Sequence, residues 1–311
     1  MLQVQFGINI ALGIFVAICA SVTLGLGKGI QRIGADTLGK GILKKWREDP
    51  AERRKIITWI VGSAMTGISA VLQVVAMFFL DRPSTYVALS GTGILAVVLF
   101  SAKVLKESIS KLQVAGIASI IIGTTFIGID YPEIAEKTQP GLGFMLYAIA
   151  FGSAGVIIAI LTIKRAKGFG IVFGSIAGFF NGFAAISTAF ATATGDNELI
   201  ASVINPYLVA SLLLGQGAFW STQFAFKKGG NASVTVPAEN SFVILIPVVL
   251  DAFVHGIPFG PFQVLAITLN VAGILVLSIA SARILDRVMT APVKTVEKDS
   301  PEDVHGAVTI G

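Results

Sequence analysis

Nine long apolar runs dominate this 311-residue chain, near 6–26, 56–79, 84–102, 111–129, 141–163, 169–193, 203–226, 234–254 and 261–281. A helix of about 20 apolar residues crosses the hydrocarbon core of a bilayer. Backbone in lipid must satisfy its own hydrogen bonds, so spanning segments are helices or closed barrels. The runs are long and continuous rather than short and alternating, which argues against a barrel. Composition agrees: 54% of residues are hydrophobic and 13% charged, against roughly 25% charged in soluble domains. The expected fold class is an all-α integral membrane protein with about nine transmembrane helices, ten being the alternative count. The one cysteine, Cys19, rules out a disulfide within the chain. The first run lacks a basic leader before it, so it reads as a retained span.

Charge orients the runs. Lys28, Arg32, Lys40, Lys44, Lys45, Arg47, Arg53, Arg54 and Lys55 follow the first run. Lys103, Lys106 and Lys111 follow the third, Lys164, Arg165 and Lys167 the fifth, and Lys227 and Lys228 the seventh. Arg283, Arg287, Lys294 and Lys298 follow the ninth. With alternating sides, only Arg82 and Lys137 fall opposite this set. The positive-inside rule then places the N-terminus outside and the C-terminus in the cytoplasm. The net charge of +5 thus concerns topology and membrane lipid, not nucleic acid. Leu38, Ile42, Leu43 and Trp46 beside basic residues suit either a short interfacial helix or a solvated loop. The segment 285–311 is polar and aperiodic and reads as a disordered tail.

A shift of 150 residues aligns Gly67 with Gly217, Gln73 with Gln223, Thr85 with Thr235, Gln113–Val114 with Gln263–Val264 and Gly123 with Gly273. It carries runs two to four onto runs seven to nine. Five runs separate each pair, so the copies would point in opposite directions. Such an inverted-topology repeat places a transporter's site near the midplane, between the copies. The chain divides into a first repeat half, 1–130, and a second, 141–284.

The stretch RPSTYVALSGTGILAVVLFSAKVLKESISKLQVAGIASIIIGTTFIG, residues 82–128, carries Pro83 at a helix entry, Leu105 and Glu107 at its exit, and Gly116 and Gly123 on the return helix. With NASVTVPAENSFVILIPVVL in the second copy, it resembles the paired-helix signature of the drug/metabolite transporter superfamily. Nine spans, an outside N-terminus and a basic loop after the first run are similar to its NIPA-like magnesium transporter branch. That branch tends to carry an acid in its second helix after a Met-Gly element. Here Met65-Thr66-Gly67 is followed by no acid, which weakens the magnesium expectation. The resemblance implies a secondary transporter of small organic solutes, with a divalent-cation transporter as the alternative and a non-transporting membrane receptor as the third.

Glu239 is the single acid placed deep in any run. An ionised carboxylate there costs several kcal/mol unless paired, hydrated or protonated. It therefore reads as a site for a proton, a cationic group or, under the alternative, Mg2+. The plainer reading is a structural acid paired with Lys227 or Lys228. Asn240, Gln73, Gln223, Asn181, Ser69 and Thr92 are candidate binding residues, with Ser90 and Gln216 as further polar lining. Each singly is as readily an interhelical hydrogen bond. Gly174, Gly178 and Gly182 form a small-residue stripe for helix packing, or for a homodimer seam. Gly25 and Gly29 read as packing positions. Asp251 and His255 read as an interfacial pair or an outer gate. No Ser/His/Asp, Cys/His or zinc-ligand grouping appears, so no enzyme and no cofactor beyond H+ or Mg2+ is expected.

Overall fold

The structure, a computed structural model, describes residues 2–39, 42–80, 88–129, 169–194, 205–255 and 259–290. Every regular element among them is helical. The helices are α1 (Leu2–Gly34), α2 (Ile42–Glu48), α3 (Pro50–Phe79), α4 (Gly91–Lys103) and α5 (Lys111–Ile129). They continue with α6 (Phe169–Thr194), α7 (Pro206–Lys227), α8 (Ala232–His255) and α9 (Pro261–Thr290). By length and composition α1, α3, α6, α8 and α9 can each cross a membrane, and α4 and α5 are shorter apolar helices. The fifth run, 141–163, lies outside the described residues.

The helix ends follow local chemistry. Asp49 and Asn205 cap α3 and α7, each accepting backbone N–H bonds just ahead of a Pro at the first helical position. At α5, Ser110 and Gln113 form a reciprocal capping box: Ser110 N donates to Gln113 Oε1 at 2.8 Å, and Gln113 N donates to Ser110 Oγ at 3.2 Å. At α9, Gly260 N donates to Gln263 Oε1 at 3.1 Å. The two aligned glutamines are therefore helix caps. Gln113→Ala is expected to cost about 1 kcal/mol and to raise amide exchange in the first turn of α5 alone.

Three boundaries differ from expectation. The second run was expected from residue 56, but α3 begins at Pro50 and carries Arg53, Arg54 and Lys55. The first run was expected to end near residue 26, but α1 continues to Gly34. The charged residues that suggested an exit are carried on the helix, because Lys28 finds a partner there. The ninth run continues to Thr290, into the segment expected to be a disordered tail; residues 291–311 lie outside the described residues. The short helix after α1 covers only Ile42–Glu48, and Leu38 stands before it in extended backbone.

Contacts fix the helix directions. Along α1, Gly13, Gly27 and Gly34 face Phe79–Leu80, Gly62–Thr66 and Lys55–Trp59, so α1 and α3 are antiparallel. Gly25 faces Gly93 and Gly29 faces Phe100, so α1 and α4 are parallel. The second group repeats this. Ser221 Oγ donates to Phe173 O and Ser211 Oγ to Ala184 O, so α7 runs against α6. Gly174, Gly178 and Gly182 face Thr235, Glu239 and Ile246, so α8 runs with α6. Helices α5 and α9 meet antiparallel. Gly116 faces Gly273, Gly123 faces Ala266, and Ser119 Oγ donates to Leu269 O at 2.7 Å. Exchanging partners across the 150-residue offset turns the first of these contacts into the second and maps the residue pair 119 and 269 onto itself.

Large apolar side chains cover the outside of the bundle: Phe15, Val71, Leu99, Leu212, Leu213 and Leu275 are all exposed. The buried interior holds Lys28, Gln31, Gln223 and Glu239. This is the reverse of a water-soluble surface, where extended exposed apolar area is rare.

Candidate functional site

The polar interior is built where α1 meets α6, α7 and α8. Glu239, 1% exposed, lies on α8. Its Oε1 is 2.7 Å from Lys28 Nζ, and Lys28 is itself 6% exposed. Asn181 Nδ2 on α6 donates to the same oxygen at 2.6 Å. Thr222 Oγ1 on α7 donates to Oε2 at 3.0 Å. Three elements thus hold one carboxylate, and both of its oxygens are matched. The geometry is that of a buried ion pair with further hydrogen bonds, the arrangement in which burial of two charges is tolerable.

One turn further along α1, Gln31 begins a second chain of bonds. Gln223 Nε2 on α7 donates to Gln31 Oε1 at 2.6 Å, and Gln31 Nε2 donates to Thr66 Oγ1 on α3 at 2.9 Å. Trp59 Nε1, also on α3, donates to Gln223 Oε1 at 2.7 Å. Thr222 and Gln223 are sequence neighbours, so α7 joins the two chains of bonds. Trp59→Phe removes the indole donor and leaves a buried amide oxygen unmatched. The expected loss is about 1–3 kcal/mol in thermal unfolding.

Close backbone approach makes the site reachable. A Cβ on Gly178 would collide with the carbonyl oxygen of Glu239, and one on Gly174 with that of Thr235. The expected glycine stripe of α6 is thus covered by α8 within the chain, not left as an open seam. On α1, Gly25 and Gly29 take the corresponding places against α4. Lys28 follows Gly25 at the same spacing as Asn181 follows Gly178, so matching positions in the two groups both bind Glu239 Oε1.

Of the residues expected from sequence, Glu239, Asn181 and Gln223 come together. Asn240 and Gln73 are half-buried and belong to neither chain of bonds. Gln73 lies fourteen residues from Trp59 on α3, about 21 Å along the axis, and it is Gln31 that bonds to Gln223. Ser69 Oγ donates to Ala20 O at 2.8 Å, tying α3 to α1. Thr92 Oγ1 donates to Leu89 O at 2.7 Å within its own turn. Gln216 is exposed. Asp251 and His255 lie in α8, with side chains outside the described residues. Lys227 and Lys228 are exposed, and Glu239 pairs with Lys28 instead. Lys28, Gln31, Trp59, Thr66 and Thr222 were not anticipated. The available signal was the run of Ile30 and Ile33 beyond Lys28, which keeps an apolar helical spacing past the charge.

Among the described residues no group of three or more His, Cys, Asp or Glu side chains is placed to hold a metal ion. Comparison with family models, curated proteins and solved structures finds no match.

Proposed function

We propose that the chain is a multi-pass membrane carrier of the drug/metabolite transporter type, moving a small organic solute by alternating access. The observation that carries this reading is the buried Lys28–Glu239 pair. It joins the first helix of one group to α8 of the other, in a bundle whose outside is apolar. The opposed directions of the two groups and the exchange symmetry of the α5–α9 contacts support an inverted repeat, with the pair at the interface of the copies. The basic end of the bundle, with Arg32, Lys103, Lys227 and Lys228, is assigned to the cytoplasm.

Charge balance narrows the cargo. The pair is neutral as a unit, and an unmatched charge in this interior costs several kcal/mol. A solute bearing both an anionic and a cationic group can take Lys28 and Glu239 as partners without changing the total. An anion arriving with a proton for Glu239 also preserves it. A divalent cation at Glu239 would meet the Lys28 ammonium already in place, which disfavours the magnesium alternative.

Thermal unfolding of the purified protein tests this. The ligands are zwitterionic, anionic and cationic metabolites and Mg2+, each at two pH values. A ligand at a hundred times its Kd adds about 2.7 kcal/mol. Stabilisation by a zwitterion or an anion, lost in Glu239→Gln or Lys28→Gln and accompanied by uptake into liposomes, is the expected result. Stabilisation by Mg2+ alone overturns it in favour of the cation carrier. Binding without flux points to a receptor.

A further inference from the structure

The first turn of α8 is held by a side chain from another helix pair. Beyond the end of α4, Glu107 accepts bonds from Ala232 N at 2.9 Å, Ser233 N at 3.1 Å and Ser233 Oγ at 2.6 Å. Both carboxylate oxygens are used. Bonds to a charged acceptor are shorter and stronger than neutral ones, and a carboxylate at a helix N-terminus also gains from the helix dipole. The chain reaches this position through Lys106, which has φ of 54°, a backbone conformation uncommon for a residue with a side chain. From α1, Arg32 Nε donates to Gly230 O at 2.9 Å, just before α8 begins. Beneath these bonds Ala35, Val97, Phe226, Ala232 and Val236 form a buried apolar plug.

The same two helices carry the ion pair. Lys28 and Arg32 are four residues apart and share a face of α1. On α8, Ser233 and Glu239 are about 9 Å apart along the axis. Moving the basic end of α8 away from α1 and α4 therefore strains Lys28–Glu239 as it breaks the Glu107 and Arg32 bonds. The turn before α8 is a closed glycine helix end: Gly229 has φ of +86°, Gly229 N donates to Phe226 O and Gly230 N to Ala225 O, so the last turn of α7 moves with the start of α8.

We propose that Glu107 is the latch of a gate at the basic end of the bundle, and that the Lys28–Glu239 pair holds this gate shut from within. The gate rests on the carrier reading for its purpose, but its test needs no substrate. A Val236→Cys variant in a Cys19→Ser background places a thiol within the plug. It is reconstituted and exposed to a membrane-impermeant maleimide from the face bearing Lys227 and Lys228. Labelling is expected to be slow, and to quicken about tenfold when Glu107→Gln is added, the effect of losing charge-assisted bonds. Adding Lys28→Gln and Glu239→Gln together, which removes the pair without leaving a lone charge, is expected to quicken labelling as well. A cap that only steadies the helix end would not respond to the pair.

An unchanged rate in Glu107→Gln overturns the latch. A faster rate there with none in the pair variant overturns its linkage to the site. If Val236→Cys does not fold, amide exchange across Val234–Val236 reads the same two comparisons in the native background. Absence of flux for every solute would sink the carrier reading and leave these rates standing, and unchanged rates alongside measured flux would do the reverse.

Discussion

Replacing Glu239 by glutamine alone is expected to destabilise the protein by about 3–5 kcal/mol, the usual cost of stranding one member of a buried pair. Lys28→Gln should cost a similar amount. The double variant should lose much less than the sum, because no lone charge remains and glutamine at both positions can still hydrogen-bond. The shortfall of the double loss against the sum, read by thermal unfolding in detergent, is the signature of a matched pair. Additive losses would mean that the two residues are held by separate surroundings. Uptake should be lost in all three variants, including the stable one. Stability and transport then separate, and a purely structural pair would not separate them.

The second large effect is steric. Gly178→Leu puts side-chain carbons where the backbone of α8 passes, at the carbonyl of Glu239 itself. Backbone has little room to yield, so the expected loss is about 3 kcal/mol or more, with the Asn181–Glu239 bond broken as α6 is pushed outward. Gly67→Ala and Gly215→Ala are the comparisons: neither Cβ would meet anything within 4 Å. Both should leave the unfolding temperature within a degree or two. A well-tolerated Gly178→Leu, shown by unfolding temperature and unchanged ligand response, would remove the close α6–α8 approach from the description.

Much of this arrangement was legible before any geometry. Apolar length placed α5 at its observed bounds and α6 to within a residue, since a helix that must hide its backbone from lipid leaves an unbroken mark. The acid at 239 stood out for the same reason. Its partner did not. Charge counting assigned Lys28 to a loop because a lysine beside glycines at the end of an apolar run resembles an exit, and only the fold brings α8 alongside. The 150-residue alignment misled at Gln73: an equal offset in sequence does not give equal neighbours, and Gln223 bonds to Gln31 instead. At Gln113 and Gln263 the match was sound but its reason was local, a shared way of starting a helix. Trp59 and Thr222 carried no mark, because one aromatic or hydroxyl residue in an apolar helix is ordinary until its donor is seen to have a specific acceptor.

The seam between α5 and α9 is both close and interlocked. Gly116, Gly123 and Gly273 bring main chain against main chain there, and Leu277, Asn270 and Ile120 fill the space beside them. A packed seam of this kind has discrete arrangements and does not deform continuously. These two helices are therefore bolted into one body, and any rearrangement of the bundle falls on the polar contacts of α1 and α8.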